Sequence, residues 1–163
     1  MNYRSQRQEL ISRQYRLQNA IDDKDYLFPD NLQQALELLQ EAMAGEQSDE
    51  EFYGYLITLA PNEEARKIIA GIRDDELKHH RLFRRVYRDL SNQAPPLAVE
   101  EGFIRPKNYY DGIKRALLGE TEAVKEYRKI LFALQNRVHI NILTEIITDE
   151  LRHGILYGLL LNM

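Results

Sequence analysis

The chain has 163 residues, 44% of them hydrophobic, with 26 acidic and 22 basic side chains and a formal net charge of -4. That length supports one buried core in a single domain, and the interspersed charges leave no basic stripe for a nucleic-acid backbone. Cysteine is absent, which excludes disulfides, thiolate metal sites and cysteine nucleophiles, so any metal must be held by oxygen and imidazole.

No apolar run approaches the roughly 20 residues that span a membrane. The opening residues MNYRSQRQEL lack the apolar core of a signal peptide, so a cytoplasmic location with no membrane partner is expected.

Residues 1–28 are rich in Gln and Arg, with Leu10, Ile11, Leu17 and Ile21 at helical spacing, and read as an N-terminal arm or a short outer helix. From Pro29 to the end, residues 29–163, apolar residues recur in threes and fours, the period of an amphipathic helix. The first predicted helix starts at Asp30 as N-cap and ends before Pro61. Its seam carries Leu32, Leu36, Leu39, Met43, Glu46, Tyr53 and Ile57.

The second runs from about Asn62 to Leu90, and places Glu76 and His79 inside the apolar line Ile69, Ile72, Phe83, Val86. Residues 91–107 hold three prolines and a glycine and form a connection long enough to return the chain along the bundle. The third helix, from about Asn108 to Ala133, sets Glu120 among Ile113, Leu117, Val124 and Tyr127. The fourth, from about Asn136 to Leu161, sets Glu150 and His153 among Leu143, Ile146, Tyr157 and Leu160. Helices of about 24 to 30 residues are roughly 36 to 45 Å long at 1.5 Å per residue, which is the geometry of an all-α four-helix bundle with a long crossover between helices 2 and 3.

The two halves align at an offset of 74 residues. Ala42, Gly45, Glu46 and Tyr53 match Ala116, Gly119, Glu120 and Tyr127. In the following helices, Ile72, Asp75, Glu76, Leu77, His79 and Leu82 match Ile146, Asp149, Glu150, Leu151, His153 and Leu156. Each half is thus a seam glutamate followed 30 residues later by ExxH. One such glutamate alone reads equally well as a buried partner of Arg or Lys, but the six residues together read as a site.

The chemistry follows from desolvation. A carboxylate facing inward loses its water and needs a partner, and two divalent cations would offset the four glutamates Glu46, Glu76, Glu120 and Glu150. Glu76 with His79, and Glu150 with His153, are i,i+3 neighbours able to approach one ion together. Oxygen with one imidazole per ion suits two iron ions, or manganese, with zinc as a non-native substitute.

Asp49 and Glu50 lie within a turn of Glu46 and are candidates for an extra ligand. His80 is off the seam and expected to be exposed, and His139 reads as structural. Glu122 and Glu126 point away and are excluded as ligands.

At GEQSDEEFY (45–53), DELKH (75–79), GETEAVKEY (119–127) and DELRH (149–153) the sequence resembles the ferritin-like di-iron carboxylate proteins, most closely the rubrerythrin branch. The resemblance covers roughly residues 30–161. It implies that Glu46 and Glu120 are terminal ligands, that Glu76 and Glu150 bridge the ions, and that His79 and His153 each complete one; Tyr53 and Tyr127 would stand behind the ligands. Two departures are visible. Ala123 stands where rubrerythrins carry an additional glutamate, and without cysteine there is no rubredoxin domain, so an electron donor would be a separate protein.

The expected function is a di-metal oxidoreductase using oxygen or hydrogen peroxide, of ferroxidase or peroxidase type, acting as a homodimer or larger assembly. A manganese-catalase-like enzyme and a non-enzymatic structural, coat or cargo bundle are the alternatives.

Overall fold

The computed structural model describes residues 26–28, 30–44, 46–96 and 103–163, with the side chains of residues 46 and 47 outside that description. Residues 1–25, most of the expected arm, therefore lie outside the described residues. Five helices follow one another: α1 (Leu32–Met43), α2 (Glu46–Leu59), α3 (Glu63–Ser91), α4 (Tyr109–Phe132) and α5 (Arg137–Leu160). The described residues form no strand, and none of their helices is long and apolar enough to cross a membrane.

Three helix starts share one device. Asn62, Asn108 and Asn136 each adopt an extended backbone, and each side-chain oxygen accepts a hydrogen bond from a first-turn backbone N–H, at 2.8 Å from Ala65, 2.9 Å from Asp111 and 2.8 Å from Val138. An asparagine there satisfies a donor that the helix itself leaves without a partner. The expected boundaries of these helices agree with the structure to within one to two residues.

The first expected helix is instead two, and it begins after Asn31 rather than Asp30. Ala44 takes an extended conformation, φ -73° and ψ 144°, which stops the hydrogen-bond ladder of α1. The sequence favours a break here. Gly45 has poor helix propensity, and the acidic residues Glu46, Asp49 and Glu50 suit the positive end of a new helix. Both α1 and α2 pack on α3 and α4, so together they fill one corner of the bundle.

The bundle closes as α1/α2 against α3, α3 against α5, α5 against α4, and α4 back against α1/α2. Helices α3 and α4 sit on a diagonal, which the long connection between them permits. Antiparallel packing of α2 and α4 is tight at Gly112, where a Cβ would run into the Leu56 side chain and stand 3.1 Å from Pro106 Cγ.

The core has two parts. At one end Leu39, Phe83, Val86, Ile130, Leu143 and Ile146 are buried together; at the other Leu56, Ile69, Ile72, Ile113, Tyr157 and Leu160 are. The seam carboxylates and imidazoles lie in the layer between them.

Candidate metal centre

Successive turns of α3 and α5 bring the two ExxH segments face to face in antiparallel register. His79 and His153 are 1% and 0% exposed, Glu120 and Glu150 are buried, and Glu76 is mostly buried. Ligand-type atoms of Glu76, Glu120, Glu150 and His153 all lie within 4.8 Å of one another, the one such group among the described residues.

The contacts cross between helices. His79 Nδ1 lies 3.1 Å from Glu150 Oε1, and His153 Nδ1 lies 3.0 Å from Glu76 Oε1 and 3.8 Å from Glu120 Oε1. The imidazole rings face each other with centroids 5.9 Å apart. Metal–ligand bonds of about 2.1 Å set neighbouring ligand atoms about 3 Å apart, so this spacing suits a shared cation.

Both Nδ1 atoms and one oxygen each of Glu76, Glu120 and Glu150 are buried with no hydrogen-bond partner of good geometry. Buried polar atoms are rarely left so, and five converging on one point fit a metal better than they fit each other.

The outer ring nitrogens are occupied. His79 Nε2 is 3.3 Å from Asp149 Oδ2, and His153 Nε2 is 3.3 Å from Asp75 Oδ2. An ionised carboxylate only accepts, so Nε2 carries the proton and donates it, and the Nδ1 lone pair is left facing the centre. Arg152 bridges the two aspartates, 2.5 Å from Asp75 and 3.1 Å from Asp149. Burial would raise the Asp75 pKa, but its hydrogen bonds with Arg152 and His153 win and hold it below the usual value.

These outer partners were not assigned a role from sequence, although Asp75 and Asp149 are present in the repeated DEL segments. Their signal was the repeat itself.

Without metal, protons take the place of cations. Burial would lower the His79 and His153 pKa values, but contacts with Glu150 and Glu76 outweigh it and lift them to about 10 and about 9. Burial and the neighbouring Glu150 push Glu120 up to about 12. Burial works against ionising Glu150 as well, yet the two histidines and Glu120 bring it down to about 2. The centre thus holds protons on both imidazoles and on Glu120 and keeps Glu150 charged.

Glu46 heads α2, and its side chain is outside the described residues. Tyr53 and Tyr127 line the same cavity as Glu76, Glu120 and Glu150. Burial first, then for Tyr53 the Tyr157 phenol, and for both the nearby acidic groups, raise the two phenol pKa values well above normal, so both keep their protons.

Asp49 and Glu50 are exposed and not part of the convergent group. His80, expected at the surface, is instead 5% exposed, with Nε2 3.6 Å from Asp49 Oδ2, because α2 covers the flank of α3 on which it lies. His139 is buried at the start of α5, 2.9 Å from Asp89. Glu122 and Glu126 are engaged outside with Lys125 and Lys129.

A cavity of about 390 Å³ leads to the acidic cluster between α2 and α4, with Phe52, Phe103 and Arg115 along it and Ala123 in its wall.

The model of the rubrerythrin family matches residues 37–161. This chain belongs to the rubrerythrin family. A protein of Bacillus subtilis (strain 168), "Uncharacterized protein YhjR", is 32% identical over 118 residues, covering 72% of this chain and 79% of the relative. The family is ferritin-like and typically binds iron, in keeping with the helical bundle and with a carboxylate and histidine cluster that could hold a metal.

Proposed function

We propose that the chain is a di-iron oxidoreductase that reduces peroxide or oxygen, with Glu46, Glu76, His79, Glu120, Glu150 and His153 holding two iron ions. The observation that carries this reading is the pair of imidazoles whose outer nitrogens are tied to aspartates while both inner nitrogens converge on glutamates. Glu46 joins the set through its repeat partner Glu120.

Two bound iron ions would supply a two-electron couple. The chain supplies the rest. Four carboxylates offset the cationic charge, Asp75 and Asp149 fix the ring orientations, and the apolar layers above and below close the centre along the bundle axis, leaving the cavity between α2 and α4 as its approach. Tyr53 and Tyr127, both neutral, stand in the cavity as hydroxyl donors beside the cluster. Electrons come from a separate protein, and the working unit is a homodimer or larger.

Metal analysis of protein purified without added iron, followed by stopped-flow spectroscopy with peroxide and with oxygen, tests this. About two metal ions per chain and an ultraviolet-visible change with one oxidant are expected. A loaded protein that is silent to both oxidants would sink the redox reading, and unchanged metal content in Glu76→Ala and Glu150→Ala would overturn the ligand assignment.

A further inference from the structure

The cavity above the cluster is larger than the proposed oxidants need. Oxygen or peroxide takes about the space of one water, roughly 30 Å³, whereas pockets for organic ligands start at about 300 Å³; this one has about 390 Å³. Its surfaces also differ in kind. The floor is acidic, from Glu76, Glu120 and Glu150, and the wall is aromatic, where Phe52 and Phe103 meet edge to face with centroids 6.4 Å apart.

On the α4 side, Gly119 and Ala123 leave the space open. Ala123 is the position at which rubrerythrins carry a glutamate, so an acidic side chain is replaced by a methyl group in the wall of the cavity.

Toward solvent stands Arg115, the one basic side chain among the described residues that line the cavity. Its guanidinium lies 4.8 Å from the Phe52 ring centre and donates through Nη1 to the Ile104 carbonyl at 2.9 Å. Those contacts hold it in place, and a guanidinium has five N–H donors, more than one carbonyl uses. Asp49 also lines the cavity, its carboxylate turned to His80 Nε2 at 3.6 Å, so the cavity is polar at its outer end, with Arg115 as its one cation there, and aromatic along its wall.

We propose that this cavity binds an amphipathic organic monocarboxylate, with the carboxylate on Arg115 and the apolar body against Phe52 and Phe103. The inference rests on the di-iron reading for its acidic floor, which bound cations would bring near neutrality and make compatible with an apolar tail. The natural ligand then has an organic body, and the site is selective for more than a small oxidant.

Octanoate, octanol and acetate, titrated calorimetrically into protein of measured metal content, test the proposal. Octanoate binds about ten-fold more tightly than octanol, because the charge-assisted pair with Arg115 is added to the same apolar contact, and acetate binds more weakly than either. Arg115→Gln, a change at an exposed side chain, brings octanoate down to the level of octanol. Ala123→Leu, which fills the cavity, abolishes binding of both and leaves the metal content unchanged.

Octanol binding as tightly as octanoate in the unaltered protein, or octanoate affinity unchanged in Arg115→Gln, overturns the proposal. Two metal ions per chain with no octanoate binding overturns it also and leaves the di-iron reading standing. Octanoate binding with the stated Arg115 dependence in a protein that takes up no metal does the reverse.

Discussion

His79 on α3 and Asp149 on α5 meet with Nε2 3.3 Å from Oδ2, and the same pair recurs with the helices exchanged as His153 and Asp75, also at 3.3 Å. Each helix thus provides an inner imidazole and the carboxylate that orients the imidazole of the other. Two DELxH segments in antiparallel register produce both pairs at once.

Removing one of these carboxylates leaves the imidazole in place but free to rotate. Asp149→Ala is expected to weaken metal binding by roughly 10 to 100-fold, with the same direction for Asp75→Ala, measured by competition against a chelator of known affinity. Unchanged affinity in both would show that the pairs do not position the ligands.

The metal-free protein should lose stability as pH rises from neutrality to about 10. His79 and His153 have folded-state pKa values of about 10 and 9, above the usual 6.5, so their contribution is full below pH 6.5 and is lost as pH climbs through 9 and 10. Glu120, raised to about 12, acts in the same direction: the unfolded chain ionises near 4.5, and the folded state is disfavoured progressively above that. Glu150, lowered to about 2, acts oppositely, its contribution being lost as pH falls from 4.5 toward 2. Thermal melts of metal-free protein between pH 6.5 and 10 measure the net effect, and a melting temperature that rises over this range would contradict it.

Metal must displace those protons, so binding should release protons and strengthen as pH rises. Titration in weakly buffered solution with a pH indicator reads the release directly. Metal uptake with no proton release near pH 7 would mean that the imidazoles and Glu120 are already deprotonated.

Gly112→Val is expected to destabilise the fold by about 1 to 3 kcal/mol through overpacking, since the new side chain would collide with buried Leu56 and press on Pro106. Chemical denaturation checks it. A neutral effect would show that the α2–α4 contact can yield.

Asn62→Ala should cost about 1 kcal/mol by removing the cap on the first turn of α3, where the Asn62 side chain accepts from Ala65 N at 2.8 Å. The same denaturation assay applies, with metal content unchanged because the cap lies more than three turns from Glu76.

Much was legible before the structure. The 3.6-residue period located α3, α4 and α5, because apolar and polar residues on one helix report the face it buries. Glu76, His79, Glu120, Glu150 and His153 on those seams converge in one layer, and the 74-residue offset relates them as two similar sets. The same period could not foresee the break at Ala44, where apolar residues remain in register on both sides and only the backbone departs.

By itself the sequence determined the helical class, the boundaries of three helices and the residue types that face inward, since these depend on neighbours within a turn or two. Tertiary structure decided that His79 is oriented by Asp149 rather than by its own helix, that His80 is covered by α2, and that a cavity with Arg115 at its outer end reaches the acidic cluster. Those are relations between helices. They depend on the register and approach of elements far apart in the chain, about which the periodicity of any one helix carries no information.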